Sequence, residues 1–159
     1  MKILVSFLAL ALSVSPSFAQ SIKVGELTIE NAWARATPKG AEVGAGYLTI
    51  RNDGGVADRL TGVSCDFATV QMHEMKMTNG VMEMRERADG VEIPARATVK
   101  FAPGGNHLMF VGLKAPLVKG ETAKATLTFA HAGSITVNLP IQGVGASGPG
   151  GAMAPMKGM

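Results

Sequence analysis

The chain has 159 residues, 47% of them hydrophobic, a formal net charge of +3 and one cysteine. That length and apolar content suit a single domain around one core. A lone cysteine excludes an intramolecular disulfide and a cysteine-cluster metal site, and a mild positive charge without an Arg/Lys run argues against nucleic acid as a partner.

The positive start Met1-Lys2, the apolar stretch Ile3 to Val14 and the ending Ser17-Phe18-Ala19 read as a secretory signal peptide over residues 1–19, cleaved after Ala19. The apolar run is too short to span a bilayer, and no second run of spanning length follows. No cysteine sits directly after it to carry a lipid. The expectation is an exported chain beginning at residue 20, with no membrane anchor after cleavage.

Short alternating runs separated by turn signals then dominate, and no amphipathic helix of convincing length interrupts them. "GELTIE" sets Leu27 and Ile29 on one face, and "GYLTIRN" does the same with Leu48 and Ile50. Trp33 and its flanking alanines are expected to end the first strand and plug the core. "ATVKFAPGGNHLMFVGL" reads as strand, Pro-Gly-Gly-Asn turn and strand. "KATLTFAHAGSITVNLPI" reads as a hairpin, with Ala125, Leu127 and Phe129 answered by Ile135, Val137 and Leu139. Many short antiparallel strands predict an all-β domain over residues 20–142, a β-sandwich or Greek-key barrel. From Gly143 onward, "GVGASGPGGAMAPMKGM" is too poor in apolar bulk to offset chain entropy, so residues 143–159 are expected to be a disordered tail.

Methionine is distributed unevenly. Of the chain's ten, Met72, Met75, Met77, Met82 and Met84 lie in "QMHEMKMTNGVMEMRER", three lie in the tail, and the others are Met1 and Met109. Asn-Gly between two alternating runs is the strongest short hairpin signal in a sequence. With Asn79-Gly80 as the turn, Met77 opposes Met82, Met75 opposes Met84, and His73 opposes Glu86. One face then carries His73, Met75, Met77, Met82 and Met84, while the other carries the charge pairs Lys76/Glu83 and Glu74/Arg85. In "NHLMF", His107 and Met109 share one face and Leu108 and Phe110 the other. Methionine usually fills core gaps, and packing or a secondary role is the expectation for Met72, Met75, Met77 and Met82. Two histidines, each beside a methionine on its own face, form a different pattern. Thioether sulfur with neutral imidazole selects Cu(I) over Zn(II), Mg(II) or Ca(II).

"NAWARATPKGAEVGAGYLTIRN", the "HE…GVMEMR" hairpin, "GVEIPARATVKFAPGGNHLMFVGL" and the closing "LPI" resemble, in order, the periplasmic copper(I) chaperone family of the PCu(A)C type. The resemblance implies a cupredoxin-like β-barrel and a Cu(I) site of two histidines and two methionines in the pattern His-x10-Met-x21-His-x-Met. On this chain those are His73, Met84, His107 and Met109. Twenty-two residues, one more than the pattern, separate Met84 from His107, and the extra one is assigned to the connection "RERADGVEIP". The resemblance further implies delivery of Cu(I); a monomer in the periplasm is expected, with Cu(II) as a secondary ion. The acceptor would belong to cytochrome c oxidase assembly, either oxidase subunit II or a thioredoxin-like factor.

Met75 and the evenly spaced Met153, Met156 and Met159 are candidate auxiliary ligands, since a period of three in a polyproline-like tail lines sulfurs along one side. Two rival readings keep the copper: sequestration for tolerance, and a blue-copper electron carrier using Cys65. The second conflicts with chain order, because Cys65 precedes every other candidate ligand. No catalytic Ser/His/Asp arrangement, carboxylate pair or phosphate loop is apparent, so the chain is not expected to be an enzyme. His131, in "FAHAGS" before a turn, is expected to be a turn histidine, and Cys65 a buried and inert one.

Overall fold

The computed structural model describes residues 20–150. The leader (1–19) and Met153, Met156 and Met159 lie outside the described residues. Among the described residues, the chain forms eleven strands and no helix. They are β1 (Ile22–Val24), β2 (Leu27–Arg35), β3 (Val43–Asn52), β4 (Asp58–Ser64), β5 (Thr69–Thr78), β6 (Val81–Glu86), β7 (Val91–Ile93), β8 (Thr98–Phe101), β9 (His107–Val111), β10 (Thr122–Phe129) and β11 (Gly133–Gln142). The strand path runs β6-β5-β9-β3-β2-β11-β10-β4-β7, with β1 on β2 and β8 on β3. Pairing is antiparallel except where the end of β11 runs parallel to β2, at Ile141–Ala34 and Gln142–Arg35.

The expected core faces point inward. Leu27, Ile29, Leu48 and Ile50 from the first half of the path meet Leu60, Leu127, Val137 and Leu139 from the second in one buried cluster. The two halves therefore face each other as an all-β sandwich. The β10–β11 hairpin forms as expected, with Ala125 opposite Val137 and Leu127 opposite Ile135. Asp58 locks its turn: the carboxylate accepts from the backbone N–H groups of His131 and Ala132, both at 2.9 Å. His131 is exposed in that turn, as its sequence context predicts.

Trp33 departs from expectation. Strict alternation from Leu27 and Ile29 would turn it inward. Instead the β2–β3 register shifts between Glu30 and Trp33, and Asn31 takes a left-handed φ of 53°. A β-bulge of this kind adds one residue and inverts the alternation beyond it. Ala34 thus enters the core, and Trp33 packs with Tyr47 on the opposite face, ring centroids 4.6 Å apart.

That inversion gives the chain after β11 somewhere to dock. Ala146 is 3% exposed, against Trp33 and Tyr47. Its carbonyl accepts a 2.8 Å hydrogen bond from Arg35, whose guanidinium lies over both rings at 5.9 and 5.5 Å. Gly143 to Gly150 is therefore placed chain, where composition led to an expectation of disorder from residue 143. A small methyl over two aromatic rings and one backbone acceptor suffice, and neither registers in an average over seventeen residues. Truncation after Gln142 should lower the apo melting temperature by about 4 °C relative to truncation after Gly150, the scale of a 1 kcal/mol loss in a domain of this size. Equal melting temperatures would contradict the docking.

Candidate metal centre

Three neighbouring strands position the soft side chains. In β5–β6 the observed register is the one that Asn79-Gly80 predicts: Met77 opposite Met82, Met75 opposite Met84, His73 opposite Glu86. Asn79 and Gly80 both have positive φ, 49° and 79°, as a type I′ hairpin turn requires. On the other side β5 pairs with β9, setting Met72 opposite Leu108 and His73 opposite His107. Met72, Leu108 and Phe110 enter the core, so Gln71, His73, Met75, His107 and Met109 all face outward. Gly46 on β3 lets β9 close up, since a Cβ there would sit 2.9 Å from the Phe110 ring.

Met75, Met84, His107 and Met109 line one open depression on this outer face, together with Tyr47, Arg35 and the Pro103-Gly104 turn. His73 borders it through His107: the two rings stack with centroids 5.5 Å apart and planes 28° from parallel. All four residues of the His/Met pattern, and Met75, therefore converge. The connection to which the extra residue is assigned does not spread them. It comprises a tight turn, where the Gly90 N–H donates to the Arg87 carbonyl at 3.0 Å, and then β7.

The hydrogen bonds set which nitrogen each histidine can offer. The Gly105 carbonyl can only accept, so at 3.1 Å it takes the proton of His107 Nδ1 and leaves the Nε2 lone pair free. The Gln71 amide oxygen stands 3.0 Å from His73 Nε2 and acts likewise. His73 Nδ1 is then a buried nitrogen with no hydrogen-bond partner. A buried, unpartnered lone pair on a ring stacked against His107, at the border of the depression, fits a metal ion that would complete it. Burial pushes the His73 pKa down, the neighbouring His107 adds to this, and Glu86 opposes it only in part. A neutral ring is the form that binds metal.

Other expectations sort differently. Met77 and Met82 are 59% and 49% exposed at the hairpin tip and contribute neither to the core nor to the depression. Glu74 faces Arg85 in register but makes its ion pair with Arg87 at 2.9 Å, because the Arg87 N–H donates to the Met72 carbonyl and brings that side chain alongside. Cys65 follows β4, half-buried against the core, and its thiol donates to the Ala68 carbonyl at 3.3 Å. Burial raises its pKa, which keeps it a thiol. Among the described residues no three of His, Cys, Asp and Glu gather as a hard or thiolate site. Gln71 was missed in the sequence; its place two residues before His73 on a strand is the signal that would have flagged it.

A model of the LpqE-like family, described as "Putative lipoprotein LpqE-like", matches residues 27–141. The chain belongs to the LpqE-like family. A relative from Leifsonia xyli subsp. xyli, "Putative lipoprotein Lxx21020", is 35% identical over 115 residues, which are 72% of this chain and 68% of the relative. The LpqE-like chain also shares its fold with PCuAC domains. The copper-bound PCuAC domain from PmoF2 superimposes with a TM-score of 0.64 at 32% identity, over 77% of this chain and 97% of that one. The apo PmoF2 domain gives 0.68 at 29% identity, over 81% and 99%. The solution structure of CuI-DR1885 from Deinococcus radiodurans gives 0.56 at 29% identity, over 79% and 82%.

In the apo LpqE-like protein, the His73 imidazole should titrate below its ordinary 6.5. The substitution His107→Gln removes a like charge, so the His73 midpoint followed by NMR should rise. An unchanged or lower midpoint would contradict the coupling of the two rings.

Proposed function

We propose that this protein is an exported copper chaperone, which binds one Cu(I) through His73, Met84, His107 and Met109 and passes it to a copper-dependent acceptor. The carrying observation is the convergence of two imidazoles and thioether sulfurs on one outward sheet face, with the His73 Nδ1 lone pair buried and unpartnered. Copper-bound relatives of the same fold at about 30% identity support the choice of metal. The donor chemistry does too, since neutral sulfur and nitrogen favour Cu(I) over the harder divalent ions. Cu(II) is a secondary ion on this reading.

Neutral ligands also suit delivery. A thioether has no proton to regain when copper leaves, and in an oxidising compartment it is spared the disulfide formation that disables paired cysteines. Met84 is 51% exposed, which opens the site to an incoming ligand of the acceptor. By family resemblance the acceptor is cytochrome c oxidase subunit II or a thioredoxin-like assembly factor, met by a monomer in the periplasm. The leader over residues 1–19 accounts for export. Relatives carry lipoprotein names, whereas the single cysteine of this sequence, Cys65, stands inside the fold. Met153, Met156 and Met159 are assigned a weaker, auxiliary Cu(I) role, ordering of the chain opposing tight binding there. Copper storage for tolerance is the second reading, favoured by those same three sulfurs, and it requires more than one tightly held ion per chain.

Anaerobic Cu(I) competition titration of residues 20–159 should give one tight equivalent. His107→Ala or Met109→Leu should weaken it by at least about tenfold, or 1.4 kcal/mol. Cys65→Ser should leave it intact. Retention of full affinity in His107→Ala, or loss in Cys65→Ser, would overturn the assignment.

A further inference from the structure

Two methionine pairs lie side by side in the hairpin, and their surroundings differ. Met77 and Met82, nearer the tip, are exposed and lie outside the depression. Met75 and Met84, one step further in on the same face, both line the depression with His107 and Met109. Met75 is half-buried, yet it does not pack against the hydrophobic core. Its side chain thus belongs to the lining of the depression rather than to the apolar interior. Directly opposed side chains on an antiparallel pair have Cβ atoms about 4.5–5.5 Å apart. Two flexible thioethers at that separation can reach the same point in space.

We propose that Met75 is a third thioether donor, which exchanges with Met84 across the hairpin as copper enters and leaves. The inference rests on the Cu(I) reading of the site given above and adds to it a residue outside the four-ligand pattern. In the exchange the Cu–S bond to Met84 breaks as a Cu–S bond to Met75 forms. Both ligands are neutral and copper remains Cu(I), so neither a proton nor an electron moves. His73, His107 and Met109 stay bound throughout. Met84, the more exposed of the pair, is then free to swing outward and vacate a coordination position for an acceptor's ligand. Copper then keeps four donors of this chain on either side of the exchange.

The test uses residues 20–159 with 13C-labelled methionine methyl groups, titrated anaerobically with Cu(I) and followed by NMR. Met75→Leu, Met84→Leu, the double substitution and a Met77→Leu control are compared. These changes nearly conserve volume and preserve the fold. At one equivalent the Met75 and Met84 methyl signals should both move, and that of Met77 should not. Each single substitution should weaken binding by no more than about tenfold, while the double weakens it by more than about a hundredfold, a non-additivity expected of donors that replace each other. A stationary Met75 methyl, with the double variant no weaker than Met84→Leu, would overturn the exchange and leave the four-ligand site standing. Stationary Met84 and Met109 methyls would overturn both.

Discussion

The two-residue pleat of β5 and β9 is the constraint on which the candidate site depends. Met72, Leu108 and Phe110 are buried, the last two completely. Burying such side chains contributes roughly 2–3 kcal/mol each. Alternation then leaves His73, Met75, His107 and Met109 no direction but outward. A one-residue slip of β9 would exchange Leu108 and Phe110 for His107 and Met109, losing the core and the site together. Gly46 permits the close approach of the Phe110 ring that holds this register. The donor geometry is thus fixed by apolar packing behind the sheet, with no need of strong contacts among the donors.

A site of this kind balances hold against release. Its nitrogens are oriented by bonds to Gln71 and Gly105, and burial favours the neutral form of His73. Met109 stands on β9, whereas Met75 and Met84 stand on a hairpin whose outer strand is exposed from end to end. Rigid imidazoles on paired strands and pliant thioethers at the rim divide the work, the former defining position and the latter allowing access. The thiol of Cys65, lodged against the core and bonded to Ala68, takes no part in that division.

What could be read in the sequence was local or periodic. The β5–β6 register followed from Asn79-Gly80, and the inward faces of β3, β10 and β11 from alternation. His107 and Met109 could be assigned to one face because Leu108 and Phe110 needed the other. What escaped depended on single backbone events or on distant partners. The left-handed Asn31 inverts Trp33, and nothing in "ENAWAR" announces it beyond a residue type that tolerates that conformation. Ala146 docks because the inverted Trp33 and Tyr47 await it about a hundred residues earlier in the chain. Arg87 takes Glu74 from its register partner because the backbone leaves β6 just there. The separate fates of the Met75/Met84 and Met77/Met82 pairs are also tertiary, decided by how far β9 and its turn extend beside the hairpin.

X-ray absorption at the copper edge of the Cu(I)-loaded protein reports the neighbours of the metal itself rather than the consequences of binding. A mixed shell of imidazole nitrogen and thioether sulfur is expected, unchanged by Cys65→Ser. A shell of nitrogen and oxygen alone would contradict it.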